Sequence, residues 1–187
     1  MNEIIIKQYT KEYMEDVIKL ILDIQQKEFN VPITREDQPD LSDVENFYQS
    51  GNGNFWLAFY NNQVVGTISL VDIGNRQGAL RKMFVKADFR GSNYNTAKLL
   101  LTELFTWAKE HNFQEIYLGT TEKFLAAHRF YEKNNFRQIA KETLPNAFPL
   151  VKIDTRFYKH GLTKRLTIHI PTNWPFYLPI ILKNSKE

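Results

Sequence analysis

The spacing of apolar residues changes several times along the chain, and each change predicts an element. Residues 3–9 put Ile4 and Ile6 on one face of a strand, and Thr10 follows as a hydroxyl able to cap a helix by accepting a bond from an unpaired amide. From Met14 the period becomes helical: Met14, Val17, Ile18, Ile21 and Ile24 make one stripe that ends near Phe29, ahead of Pro32. The polar stretch 31–40 leads to Ser42 and Glu45, whose three-residue spacing is that of a capping box for a short helix closing near Gly51. Residues 55–60 and 63–72 are rich in aromatic and branched side chains and are parted by Asn61 and Asn62, which tolerate positive φ and so predict a tight hairpin.

A further strand is predicted at 78–85, with a turn at 86–91. Tyr94, Ala97, Leu100, Leu101, Leu104, Phe105 and Ala108 then recur every three and four residues, the clearest amphipathic helix in the chain, opening at about Ser92. A strand at 115–120, a helix at 123–134 and strands at 136–141 and 151–158 complete the order βααβββαβαββ. Beyond His160 the pattern differs. Leu166, Ile168 and Ile170 alternate, and Pro171, Trp174, Pro175 and Pro179 punctuate an aromatic finish. Residues 1–160 are therefore read as one domain and 161–187 as an extension. Three readings of the extension stay open: an edge strand with an apolar arm against a second copy of the chain, a lid, or a disordered appendage.

Composition narrows the class. With 187 residues, 43% of them hydrophobic and 24% charged, the chain can bury one sizeable core. It has no cysteine, which excludes disulfides, thiolate zinc sites and thiol chemistry. The histidines His111, His128, His160 and His169 share no metal-ligand spacing, so no metal is expected. The first residues lack the basic and apolar regions of a signal peptide, and the run 176–182, broken by Pro179, is far short of the roughly 20 residues of a membrane span. A cytoplasmic protein without a membrane partner is expected. The formal charge of +3 is not gathered into a basic block, so no nucleic-acid partner is expected either.

The chemistry centres on the strand 80–85, the turn after it and the helix that follows. A helix amino terminus leaves backbone amides without partners, and their dipoles favour phosphate. Arg90, Gly91, Ser92, Asn93, Asn95 and Thr96 supply there a cation, a residue free to take positive φ, and short side chains that let a ligand approach the backbone. An ordinary polar strand-to-helix turn is the alternative reading of this stretch.

Downstream context favours the ligand. The region LRKMFVKADFRGSNYNTAKLLLTELFTWAKEHNFQEIYLGTTEKFLAAHRFYEKNNF resembles the core of the GCN5-related N-acetyltransferase (GNAT) family, and its ending HRFYEKNNF is similar to that family's FYEKxGF signature. The resemblance implies an α/β (α+β) fold with a mixed, mostly antiparallel central sheet flanked by helices, and acetyl-coenzyme A as cosubstrate. It places Met83, Phe84 and Val85 along the pantetheine arm, beside a bulge that splays the fourth strand from its neighbour. It aligns Arg90, Gly91, Ser92, Asn93, Tyr94 and Asn95 with the pyrophosphate turn, Asn93 and Asn95 standing where the family carries small residues. Tyr131 aligns with the tyrosine that protonates the departing thiolate, a role suited to a phenol with a pKa of about 10; packing against the sheet is the alternative role.

An alkyl amine is mostly protonated at neutral pH and needs a base before it can attack. The position at which many relatives carry a glutamate is Ala79, which leaves Asp72, Glu122, Glu36 and Asp37 as candidates. The activity implied is direct transfer of an acetyl group to an amine of a small molecule or peptide, with a backbone amide near Phe84 stabilising the oxyanion. A catalytically silent acyl-coenzyme A-binding module is the alternative.

Overall fold

Residues 3–162 are described by the computed structural model. In chain order they form β1 (Ile5–Gln8), α1 (Met14–Leu22), α2 (Val44–Phe47), β2 (Asn54–Tyr60), β3 (Gln63–Asp72), β4 (Gln77–Val85), α3 (Thr96–Glu110), β5 (Glu115–Thr120), α4 (Leu125–Lys133), β6 (Arg137–Ile139) and β7 (Arg156–Gly161). This is the order the periodicity predicts. The strands make one seven-stranded sheet, β1-β2-β3-β4-β5-β7-β6, in which β4 and β5 run parallel and every other neighbouring pair is antiparallel.

Strands covered on both faces read as continuous apolar runs, and β2 and β3 are of that kind. One face of the pair carries Trp56, Ala58, Val65, Ile68 and Leu70 against Leu100, Leu101 and Leu104 of α3. The other carries Phe55, Leu57 and Phe59 against Val17, Ile18 and Ile21 of α1 and the ring of Tyr48. Helix α3 sits close to β3 because Gly66 has no side chain: a Cβ there would meet Leu100 Cδ1 and Phe84 O at 3.2 Å and Thr96 Cγ2 at 3.3 Å. Past Leu22 the first helix widens into a π-helical turn, Asp23–Glu28, closed by the Phe29 amide on the Ile24 carbonyl at 3.2 Å. The hairpin between β2 and β3 turns through Asn61 (φ 48) and Asn62 (φ 62), as their tolerance of that region predicts.

Local signals failed where tertiary packing offered something better. Thr10 caps no amide; a single turn, Lys11–Tyr13, precedes α1, and the Thr10 hydroxyl donates to Glu12 Oε1 at 2.9 Å. The capping box of Ser42 and Glu45 does not form, because α2 begins only at Val44, with Asp43 in the cap position. Helix α3 opens at Thr96 and not at Ser92, since the chain first makes a short turn at Ala87–Phe89 and then a left-handed residue, Asn95 (φ 52). The last strand is Arg156–Gly161, later than 151–158: the Asp154 amide turns back to the Val151 carbonyl (3.0 Å), and pairing with β5 begins at Arg156. Leu162 follows β7 into the core, its amide on the Gln114 carbonyl at 2.8 Å. The rest of the proposed extension, residues 163–187, lies outside the described residues.

Candidate active site

Strand β4 has two halves. Gln77, Gly78 and Ala79 pair with Glu115, Ile116 and Tyr117 of β5, and there the ladder ends. Residues 80–85 stay with β3, while β5 continues with β7 as far as Thr120 opposite Arg156. The sheet therefore parts into a wedge, and the backbone edge of β4 that faces the wedge has no strand beside it.

A bulge sets where the strands part. Between the pairs Thr67–Phe84 and Ser69–Arg81, β4 carries two residues against the single Ile68 of β3. Lys82 takes φ 50, which costs a side-chain-bearing residue about 1 kcal/mol or more. Hydrogen bonds hold it there. Thr67 Oγ1 donates to the Lys82 carbonyl at 2.7 Å and Ser69 Oγ to the Arg81 carbonyl at 2.9 Å. Lys82 Nζ donates to Gln38 Oε1 at 2.7 Å and pairs with Asp40 at 3.1 Å, the two charged side chains only 7% and 10% exposed. Tyr48 donates to the same carboxylate, and Gln38 Nε2 donates to Gln25 Oε1 at 3.0 Å. Burial lowers the Lys82 pKa and Asp40 works against that shift, so the pair ties the 31–40 loop to the bulge.

The wedge opens onto a cavity of about 590 Å³. Met83, Phe84 and Val85 line it from β4, Arg90 and Gly91 from the following turn, and Tyr131 from α4. The structure thus brings six of the predicted residues together. The others, Ser92, Asn93, Tyr94, Asn95 and Thr96, continue from Gly91 into α3 and do not line the cavity. Within that turn the amide of Asn95 is bonded to the Gly91 carbonyl at 3.1 Å, whereas among the described residues those of Gly91, Ser92, Asn93, Tyr94, Thr96 and Ala97 have no acceptor. Such a row of donors at the start of a fifteen-residue helix suits a diphosphate. Gly91 (φ 85) and Asn95 (φ 52) give the turn its left-handed steps, and the Asn95 side chain folds inward, Nδ2 donating to the Ser92 carbonyl at 2.9 Å.

Three residues of this stretch are engaged with the protein itself. Arg90 Nε donates to the Val85 carbonyl at 2.8 Å and its guanidinium makes a two-pronged pair with Glu28, with Nη2 at 2.8 Å from Oε2. Tyr94 packs into an aromatic trio with Tyr60 and Phe89, centroids 5.4 and 5.0 Å away. Thr96 is fully buried against Gly66, its hydroxyl without a partner among the described residues.

Tyr131 is 6% exposed, flanked by Phe136 and Tyr158 at 5.6 and 6.0 Å between ring centroids. Burial, with smaller contributions from Asp154 and Tyr158, drives its pKa well above that of a free phenol, so it stays a proton donor at any physiological pH. His128, one turn before Tyr131 on α4, is buried: Nδ1 lies 3.0 Å from the Tyr158 hydroxyl and Nε2 3.1 Å from the Thr121 carbonyl.

The candidate bases sort differently. Asp72 accepts from the amides of Asn52 (3.2 Å) and Gly74 (2.9 Å), a turn-holding role. Glu122 stands 3.9 Å from Arg156 on the surface. Of the four, Asp37 lines the cavity, though exposed and bonded to the Thr34 amide at 2.9 Å. Ala79 is sealed against Tyr117, Phe148 and Phe157. The acid that sequence reasoning missed is Asp154. It lines the cavity beside β5 at Gly119, where any Cβ would collide with its carboxylate. Burial pushes its pKa up to about 6, with Arg81 pulling the other way. The available signal was Gly119: a glycine inside a strand marks the close approach of another segment.

Among the described residues no group of three or more histidine, aspartate or glutamate side chains is placed to hold a metal, and no helix is long and apolar enough to cross a membrane.

Parted parallel strands, a bulge and a helix amino terminus around one cavity define an acyl-coenzyme A acyltransferase fold. The profile of the acetyltransferase (GNAT) family matches residues 18–136, and the chain belongs to that family. A GNAT-family acetyltransferase of Staphylococcus aureus Mu50 superposes with a TM-score of 0.82 at 44% identity, over 86% of this chain and 99% of that one. The PaiA N-acetyltransferase of Thermoplasma acidophilum, solved in complex with coenzyme A, shares the fold at 18% identity and a TM-score of 0.67, over 86% of this chain and 99% of that one. The N-acetylaspartate synthetase of Danio rerio is 34% identical over 111 residues, which are 57% of this chain and 39% of that protein's length.

Proposed function

We propose that this protein transfers an acetyl group from acetyl-coenzyme A to an amine by direct attack inside the wedge. The observation that carries the reading is the parting of β4 from β5 over one cavity that reaches the donor-rich turn at one end and Tyr131 and Asp154 within. The free edge of β4 at Met83, Phe84 and Val85 holds the pantetheine arm. The unpaired amides of Gly91 to Tyr94, with Thr96 and Ala97, take the diphosphate, and Arg90 closes the turn through Glu28. The thioester supplies the activated acetyl group. Asp154 accepts the proton of the incoming ammonium, for which a carboxylate titrating near neutrality is suited. A backbone amide near Phe84 steadies the oxygen that gains charge, and Tyr131 gives its proton to the departing sulfur.

The acceptor is a small molecule or peptide amine, and the setting is cytoplasmic; a homodimer formed through the extension is part of the same reading, checked by mass in solution. Titration calorimetry with acetyl-coenzyme A, followed by thiol release with a panel of amines, tests the activity. Binding with turnover supports it; binding without turnover on any amine assigns the chain to silent acyl-coenzyme A-binding modules.

A further inference from the structure

Two neighbouring cations on β4 meet opposite fates. Lys82 is spent on Asp40 and Gln38 behind the bulge. Arg81 lines the cavity, half-buried, with its guanidinium 5.8 Å over the Phe47 ring. No carboxylate of the described residues lies within ion-pair range of it. The remaining cavity cations are Arg90, which is taken by Glu28, and Lys123, which is solvent-exposed. Arg81 and Asp154 lie on the same side of the sheet: Arg81 alternates with Ala79, which faces the Phe148 and Phe157 cluster, and Asp154 covers Gly119, which alternates with Tyr117 of that cluster. The charge of Arg81 works against the burial that raises the Asp154 pKa. The same cavity has an apolar lining that includes Phe29, Ile33, Phe148 and Ile153.

We propose that the acceptor is an amino acid with a single carboxylate and an apolar side chain, its carboxylate held by Arg81 and its amino group turned to Asp154. This rests on the acetyl-transfer reading and names its substrate. A guanidinium presents paired donors that match a carboxylate, and it gains most where water is partly excluded. An ammonium needs a carboxylate to face and to take up a proton from it; the zwitterion thus satisfies both groups while adding no net charge to a partly closed cavity. An aspartate or glutamate acceptor would bring a second carboxylate into walls that hold Asp37, Asp154 and apolar side chains, with no second cation free among the buried groups described. In the transfer, the C–N bond forms as the C–S bond breaks; of the two protons that the ammonium nitrogen loses, one passes to Asp154 and the other returns through solvent to Tyr131, which has given its own to sulfur.

Thiol release from acetyl-coenzyme A is measured with matched pairs differing only in the carboxylate, L-phenylalanine against phenethylamine and L-leucine against isoamylamine, with L-aspartate alongside. The amino acids should exceed their amines in kcat/KM by roughly 30-fold or more, as expected when one partner of a desolvated charge pair is missing, and L-aspartate should be the poorer acid. Arg81→Ala should erase most of that advantage through KM, and Arg81→Lys should restore part of it, while calorimetry reports the same affinity for acetyl-coenzyme A. Equal rates within each pair, or a preference for L-aspartate, would overturn the inference and leave acetyl transfer standing. Acetyl-coenzyme A binding with no turnover on any acceptor would overturn the transfer reading as well.

Discussion

The two ends of the cavity are built from different materials. At the proposed coenzyme end the donors are backbone amides, aligned by a turn and a helix, and the side chains nearby, Arg90, Tyr94 and Thr96, hold the turn's shape. At the proposed acceptor end the groups are side chains, Arg81, Asp154 and Tyr131, which line the cavity from a strand, a loop and a helix far apart in sequence. Backbone donors tolerate exchange of side chains so long as φ and ψ are kept, whereas a side-chain site is lost with one atom.

Substitutions at the acceptor end should act on rate. Asp154→Asn should lower kcat about 100-fold or more, and the fall of kcat/KM below about pH 6 should disappear with the carboxylate. The same change should raise stability. A carboxylate whose folded pKa is raised from its usual value near 3.8 to about 6 favours folding fully below the lower value, and that contribution is lost as pH rises through the upper one. At neutral pH the ionised group costs up to about 3 kcal/mol, so Asp154→Asn should gain up to that much in chemical unfolding at pH 7 and nothing at pH 3. A variant that is both slower and no more stable would break the assignment of a buried, ionisable acid. Tyr131→Phe should lower kcat about 100-fold with little change in the affinity for acetyl-coenzyme A, read by calorimetry beside steady-state rates.

Between the two ends stands the bulge. Lys82→Met would leave Asp40 charged and buried without its partner and should cost about 3 kcal/mol, seen as a lowered urea midpoint. The smallest effect belongs to the backbone end. Gly91→Ala meets no atom within 4 Å, so only the left-handed φ of 85 is penalised, by about 1 kcal/mol in stability or in acetyl-coenzyme A affinity. A larger loss there would mean that the turn recognises its ligand through more than its amides.

Much of the architecture was legible because it is carried by local period. The strand runs of β3 and β5 and the three-and-four spacing of α3 survive into the structure, β3 and β5 to the residue. Asn61 and Asn62 declared their hairpin through a conformational preference that any surroundings would leave intact. The motif FYEK pointed to Tyr131, and the consecutive residues 90–95 pointed to the turn before α3; Tyr131, Arg90 and Gly91 line one cavity. Caps were less legible. Thr10 and Ser42 offered one weak hydrogen bond each, which packing against the sheet outweighed.

What the chain alone determined, then, was the succession of elements, the faces they bury and the family to which the motifs point, all properties of residues close together along the backbone. Only the folded sheet decided that β4 leaves β5 after Ala79, that Lys82 is buried with Asp40 while Arg81 lines the cavity that Asp154 also lines, and that a loop carboxylate settles over Gly119. Those outcomes depend on dehydration and on pairings between residues tens of positions apart, and a group's charge state is set by such neighbours, not by its place in the sequence.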